Sequence, residues 1–195
     1  MNNSFTLAKL DDVKIVLKNY KPKIKNMLDI MTKMSELKSS KVFNEKISKI
    51  RFDISFCNDE TIQEINRDYR QKDCPTDVIT FSLFADDENA IIYRKTADLG
   101  TIIVSVETAK KQAKTTLEEE ILTLICHGIL NLFGFDHLTK NDYDFVVGIQ
   151  NQVIKKLWTN FNQQVFRKAQ CTHLMVSDWH FARKEISENT SLLHF

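Results

Sequence analysis

Glycine and proline are scarce in this sequence, 4 and 2 among 195 residues, and no repeat or low-complexity linker interrupts it. Each glycine therefore stands where the backbone needs one, and Gly128 and Gly134 fall in one short segment that also holds two histidines. Cysteine is sparse too. Cys57, Cys74, Cys126 and Cys171 are scattered without a C-x-x-C pair, which excludes a structural zinc knot or dithiol redox motif and suits a reducing interior. No apolar run approaches the roughly 18 residues of a membrane span, and the opening Met1-Asn2-Asn3-Ser4 lacks a basic segment followed by an apolar one. The expectation is a soluble, unsecreted, cytoplasmic protein without a membrane partner. Net charge is also missing: 27 basic and 26 acidic residues leave +1, so no global polycation points to nucleic acid. Residues 1–50 nevertheless carry 11 Lys and no Arg against 5 Asp or Glu. That excess reads either as a solvated helix face or as a surface for RNA phosphates.

What is present suffices for one core, since 43% of the chain is hydrophobic and 13 residues are Phe. Residues 20–37 place Ile24, Met27, Leu28, Met31 and Met34 at helical spacing after Pro22. Residues 50–57 alternate strictly, Ile50, Phe52, Ile54 and Phe56 against Arg51, Asp53, Ser55 and Cys57, as a strand with one buried side does. A short helix capped by Asp59 follows, then a strand over 78–84, a solvated loop over 85–90, a strand over 99–106 opened by Gly100, and a short helix over 107–114. Thr115/Glu118 and Thr116/Glu119 form overlapping capping-box signals for a helix over 117–133 that is apolar nearly all round and ends at Gly134. A last helix covers 142–158. This order predicts an α+β fold, a small mixed β-sheet covered by helices, with the apolar helix buried at its centre. The composition changes after Trp158, which divides the chain into a domain over 1–158 and an extension over 159–195 of unassigned role. The extension holds Phe161, Phe166, Trp179 and Phe181, too aromatic for a plain disordered tail.

Two polar residues interrupt the buried helix, His127 and Asn131, and a spacing of four stacks them on one face. Buried polar groups need partners. The pair could simply hydrogen-bond within a core. Alternatively, a helix offering ligands and a following turn, here Asp136 and His137, can assemble a three-ligand zinc site with the fourth position left open. A metalloprotease of the H-E-x-x-H type is excluded, because the place of its glutamate is taken by Gly128.

The stretch CHGILNLFGFDH over 126–137 resembles the signature H-G-x-L-H-L-x-G-Y-D-H of the YbeY-type endoribonucleases, whose three histidines bind zinc. Two further stretches resemble the same family in the same order. INRDYRQKDCPTDVITF over 65–81 is similar to N-x-x-Y-R-x-K-D-x-P-T-D-V-L-S-F, and LGTIIVS over 99–105 to L-G-D-I-x-I-S. The likeness covers roughly residues 50–158. Two departures stand out: Asn131 occupies the place of the middle zinc histidine, and Thr101 that of an aspartate. A neutral amide is a poorer zinc donor than imidazole.

The resemblance implies a zincin-like fold whose buried helix carries the metal-site residues, and a zinc-dependent endoribonuclease that cuts single-stranded RNA in small-subunit rRNA maturation and ribosome quality control. Its partners would be ribosomal RNA and the small ribosomal subunit or its assembly factors. It implies His127 and His137 as Zn2+ ligands, with Asn131 at the position of the family's third ligand and Asp136, another residue or one of the histidines of the extension as its replacement. His127 and Arg70 would be catalytic, the guanidinium contacting phosphate in bidentate fashion, and Asp77 and Asp136 supporting. Asp77 is expected to orient the turn before its strand. His173, His180 and His194 in the extension are expected to be ordinary surface or packing residues. Asn131 also permits an alternative, an inactive ribosome-assembly or RNA-binding factor that keeps the fold without the full metal site.

Overall fold

A computed structural model describes residues 2–8, 17–85, 92, 95–135 and 139–171. In chain order they form β1 (Asn2–Ala8), α1 (Leu17–Met31), two short 3-10 turns, β2 (Lys49–Cys57), α2 (Asp59–Arg70), β3 (Val78–Ser82), β4 (Thr96–Ser105), α3 (Val106–Gln112), α4 (Leu117–Leu132) and α5 (Lys140–Cys171). The four strands make one mixed sheet in the order β1-β2-β4-β3. β1, β2 and β4 are parallel, and β3 runs antiparallel to β4 along one edge. This is the α+β class that the order of elements predicts.

The alternation in β2 sets the layers. Ile50, Phe52, Ile54 and Phe56 are all buried, whereas Arg51 and Asp53 are exposed. Ile54 pairs with Ile102 and Phe56 with Val104 on β4, so these four side chains share a face. α1 lies on that face, with the Tyr20 and Phe56 rings 6.2 Å apart. α4 lies there too, its Gly128 against Ile102. The opposite face is covered in part by α2, whose Ile62 and Ile65 pack with Cys57, Ile79, Phe81 and Ile103. α1 and α4 are joined by a largely buried ion pair, Lys23 Nζ to Glu118 Oε1 at 2.6 Å. Lys23 thus leaves the lysine-rich surface, while Lys21 and Lys25 remain exposed.

Several boundaries differ from the sequence expectation, each for a local reason. α1 ends at Met31, and Met34 and Leu37 of the expected 20–37 helix are buried from a turn instead. The cap of α2 is Asn58, whose Oδ1 accepts from the Thr61 N–H at 2.9 Å. Its neighbour Asp59 is taken by partners on α3. Gly100 does not open a strand: it sits within the ten residues of β4, at φ +120°, where a side chain would collide with the Phe81 carbonyl. There the β2–β4 register shifts between Arg51 and Phe52, as at a bulge. β3 closes at Ser82, two residues short of the expected end. β1 was not expected at all. Of the expected loop over 85–90, residues 86–90 lie outside the described residues.

By internal contacts the chain divides into two compact units, Met1–Ile154 and Lys155–Phe195. α5 runs through the Trp158 position to Cys171, so the first residues past it are helical. No helix among the described residues is long and apolar enough to cross a membrane.

Candidate active site

α4 begins where Thr116 Oγ1 accepts from the Glu119 N–H at 3.1 Å, the capping that the sequence predicts. Glu118, Glu119 and Glu120 in its first turn complement the positive end of the helix dipole. Beyond that turn the helix is buried on nearly every side, from Ile121 to Leu132. Gly128 allows α4 to approach the sheet, since even a Cβ there would lie 2.7 Å from Ile102 Cγ2. The end is a Schellman motif: the Gly134 N–H donates to the Asn131 carbonyl at 2.9 Å and the Phe135 N–H to the Leu130 carbonyl at 3.0 Å, with Gly134 at φ +86°. Ser40 Oγ also donates to the Phe133 carbonyl.

His127 and Asn131 are half-buried on successive turns of this helix. The Asn131 Oδ1 is fully buried and has no hydrogen-bond partner among the described residues. Two hydroxyls share that condition, Thr80 Oγ1 and Ser82 Oγ on β3. Thr80 pairs with Ile102 and Ser82 with Gly100, which puts both hydroxyls on the sheet face that α4 covers. Sequence reasoning missed these two, because polar residues alternating with Ile79 and Phe81 read as the open side of a strand. Orphaned buried oxygens cost about 1–3 kcal/mol each, so their presence marks a place for a cation, water or ligand. Cys126, next to His127, is not a usable thiolate, because complete burial pushes its thiol well above the ordinary range.

Of the remaining predicted residues, Asp77 and Arg70 are among those described. Asp77 holds the turn into β3: its Oδ1 accepts from the Val78 N–H at 2.8 Å and from Thr76 Oγ1 at 3.2 Å, and its Oδ2 from Gln112 Nε2 at 3.1 Å. Arg70 is the last residue of α2, exposed and with no ion-pair partner among the described residues. Gln71, at φ +57°, turns the chain there, and Asn66 Nδ2 anchors the loop by donating to the Cys74 carbonyl at 2.8 Å. Asp136 and His137 lie outside the described residues, as do His173, His180 and His194. Among the described residues no group of three His, Cys, Asp or Glu gathers to hold a metal ion. What α4 offers is one imidazole and one unpaired amide oxygen. That mixture fits a divalent ion with nitrogen and oxygen donors, held less tightly as zinc than by three imidazoles.

The α+β fold described above is shared with a solved structure. The chain is similar to the solution structure of TM1509 from Thermotoga maritima, with a TM-score of 0.51 at 22% identity over 83% of this chain and 93% of that one, a likeness of fold alone. The family model described as Endoribonuclease YbeY matches residues 7–158. The Endoribonuclease YbeY of Bacillus cereus is 31% identical over 152 residues, 75% of this chain and 92% of that protein. That of Prochlorococcus marinus is 37% identical over 105 residues, 52% of this chain and only 56% of the relative. The chain belongs to the Endoribonuclease YbeY family.

Proposed function

We propose that this chain is a metal-dependent endoribonuclease that cuts single-stranded RNA in small-subunit rRNA maturation and ribosome quality control, in the cytoplasm, with the small ribosomal subunit or its assembly factors as partners. Beyond family membership, the observation that carries the reading is the unpaired, buried Oδ1 of Asn131 one turn from His127. A buried amide oxygen without a partner calls for a water or an ion, and the imidazole one turn away favours the ion.

His127 and His137 would hold a zinc ion, with Asn131 Oδ1 at the third position. When bound, the ion supplies Lewis-acid polarisation of a phosphoryl oxygen and a nucleophile at neutral pH. The chain's own residues do the rest. α4 fixes His127 and Asn131 through its two sealed ends and its close approach at Gly128. Arg70 offers a permanent positive charge, uncompensated among the described residues, for a phosphate of the substrate. Asp77 positions β3 rather than moving a proton, since both of its oxygens are engaged.

Metal analysis of the purified protein with a cleavage assay on single-stranded RNA tests the reading. Zinc at one equivalent with cleavage, and an increase in both on Asn131→His, are the expected results. Folded protein that carries no metal and cuts no RNA, unchanged by Asn131→His, would overturn it in favour of an inactive assembly factor.

A further inference from the structure

We infer that Tyr69 is a stacking platform that receives a base of single-stranded RNA lying along the β3 edge of the sheet. This deepens the nuclease reading and rests on it for the identity of the ligand.

Tyr69 is 71% exposed, which is unusual for a large aromatic ring in the last turn of an amphipathic helix. Its position is nonetheless fixed. The ring meets Phe81 of β3 in a T-shaped contact, centroids 4.9 Å apart at 71°, and Phe81 in turn packs on the Ile62 and Ile79 cluster. Just beyond it, the left-handed Gln71 and the Asn66 bond to the Cys74 carbonyl fasten the loop. A ring anchored on one side and open on the rest is preorganised to stack, with little entropy left to lose.

The surrounding charge suits a phosphate backbone. Arg67 engages both nearby carboxylates, Asp68 at 3.3 Å and Asp73 at 3.9 Å. Arg70 and Lys72 are thereby left without an ion-pair partner among the described residues, on either side of Gln71. Among the described residues β3 pairs with β4 alone, at the edge of the sheet. It separates Tyr69 on one sheet face from α4 on the other, and a strand following that edge would touch both. Stacking on an aromatic ring tolerates any base and contributes about 1–3 kcal/mol per base, in keeping with a substrate recognised by being single-stranded.

The test is binding of a fluorescein-labelled single-stranded oligouridylate to the full chain, for wild type, Tyr69→Ala and Tyr69→Phe, with thermal melting of each. Tyr69→Ala is expected to weaken binding about tenfold, Tyr69→Phe less than about twofold, and double-stranded RNA to show no difference. Because the ring is so exposed, melting should not move. Turnover should show a raised KM at constant kcat. Equal affinity of wild type and Tyr69→Ala would overturn the proposal, as would a loss in Tyr69→Phe as large as in Tyr69→Ala, which would assign the effect to the hydroxyl. The two readings separate cleanly: binding that depends on the ring without any cleavage sinks the nuclease and keeps the platform, whereas cleavage indifferent to Tyr69→Ala does the reverse.

Discussion

Gly128 lies directly on Ile102: a Cβ at position 128 would sit 2.7 Å from Ile102 Cγ2 and 2.9 Å from its Cδ1. Both residues are buried, and the branched Ile102 has little room to turn away. Alanine at a helical position is otherwise favoured over glycine by about 1 kcal/mol. Overpacking of a dense core costs about 1–3 kcal/mol and opposes it. Gly128→Ala is therefore expected to lower stability in urea unfolding in spite of its helix propensity. In an Ile102→Ala background the same change should be far less harmful. A Gly128→Ala variant more stable than wild type would mean that α4 can lift from the sheet.

The ion pair of Lys23 with Glu118 joins two helices 95 positions apart in sequence, with side chains only 10% and 25% exposed. Removing one partner of a buried pair strands the other's charge, which costs about 3–5 kcal/mol. Lys23→Met is expected near the low end of that range, because Glu118 retains some solvent. It stands close to Tyr20, whose hydroxyl ionises well above its usual range through burial first and the Glu118 charge second. The double variant Lys23→Met/Glu118→Gln should recover most of the loss. Calorimetric melting of the single and double variants checks the coupling.

Where local pattern and tertiary environment agree, the sequence is a sound guide. The alternation over 50–56 and the all-round apolar helix after Thr116 both appear as expected, whereas Cys57, expected on the open side of its strand, is buried against Ile62 and Ile79 of α2 and β3; His127 and Asn131 are conspicuous because they are polar in an apolar helix. The failures share a cause: the deciding partner is distant. Asn58 and Asp59 are equally good caps on local grounds, and it is Ser105, Thr108 and Lys111, some 50 positions away, that claim Asp59. β1 exists through parallel pairing with β2, and Phe5 and Leu7 alone are too short an alternation to announce it. Gly100 reads as a strand opener until the bulge beside Phe52 is known. Thr80 and Ser82 look like ordinary strand residues, since only the position of α4 makes their hydroxyls buried and unpaired.

Asp59 ties the start of α2 to α3. Burial alone would raise its carboxyl pKa, but hydrogen bonds from Lys111 Nζ, Ser105 Oγ and Thr108 Oγ1, each at 2.6 Å, outweigh it and hold the group at about 2. Since the folded pKa lies below the unfolded one, the stabilisation is fully present above about pH 4 and disappears as pH falls through about 2. Asp59→Asn is expected to be less stable than wild type at neutral pH, with the difference narrowing between pH 4 and 2. Urea midpoints measured across that window provide the check. A difference independent of pH would show that the charge of Asp59 contributes nothing.

Asn131 allows the cost of function to be measured apart from catalysis. Its Oδ1 is buried without a partner among the described residues, which in an apo protein costs about 1–3 kcal/mol. Neighbouring Leu130 and Leu132 are fully buried, so an apolar side chain suits the surroundings. Asn131→Leu is expected to raise the melting temperature of metal-free protein while reducing metal content and RNA cleavage together. A position kept polar for packing alone would respond in the opposite sense. Leucine would then leave the groups around Asn131 unsatisfied, and the variant would melt lower with its metal content unchanged.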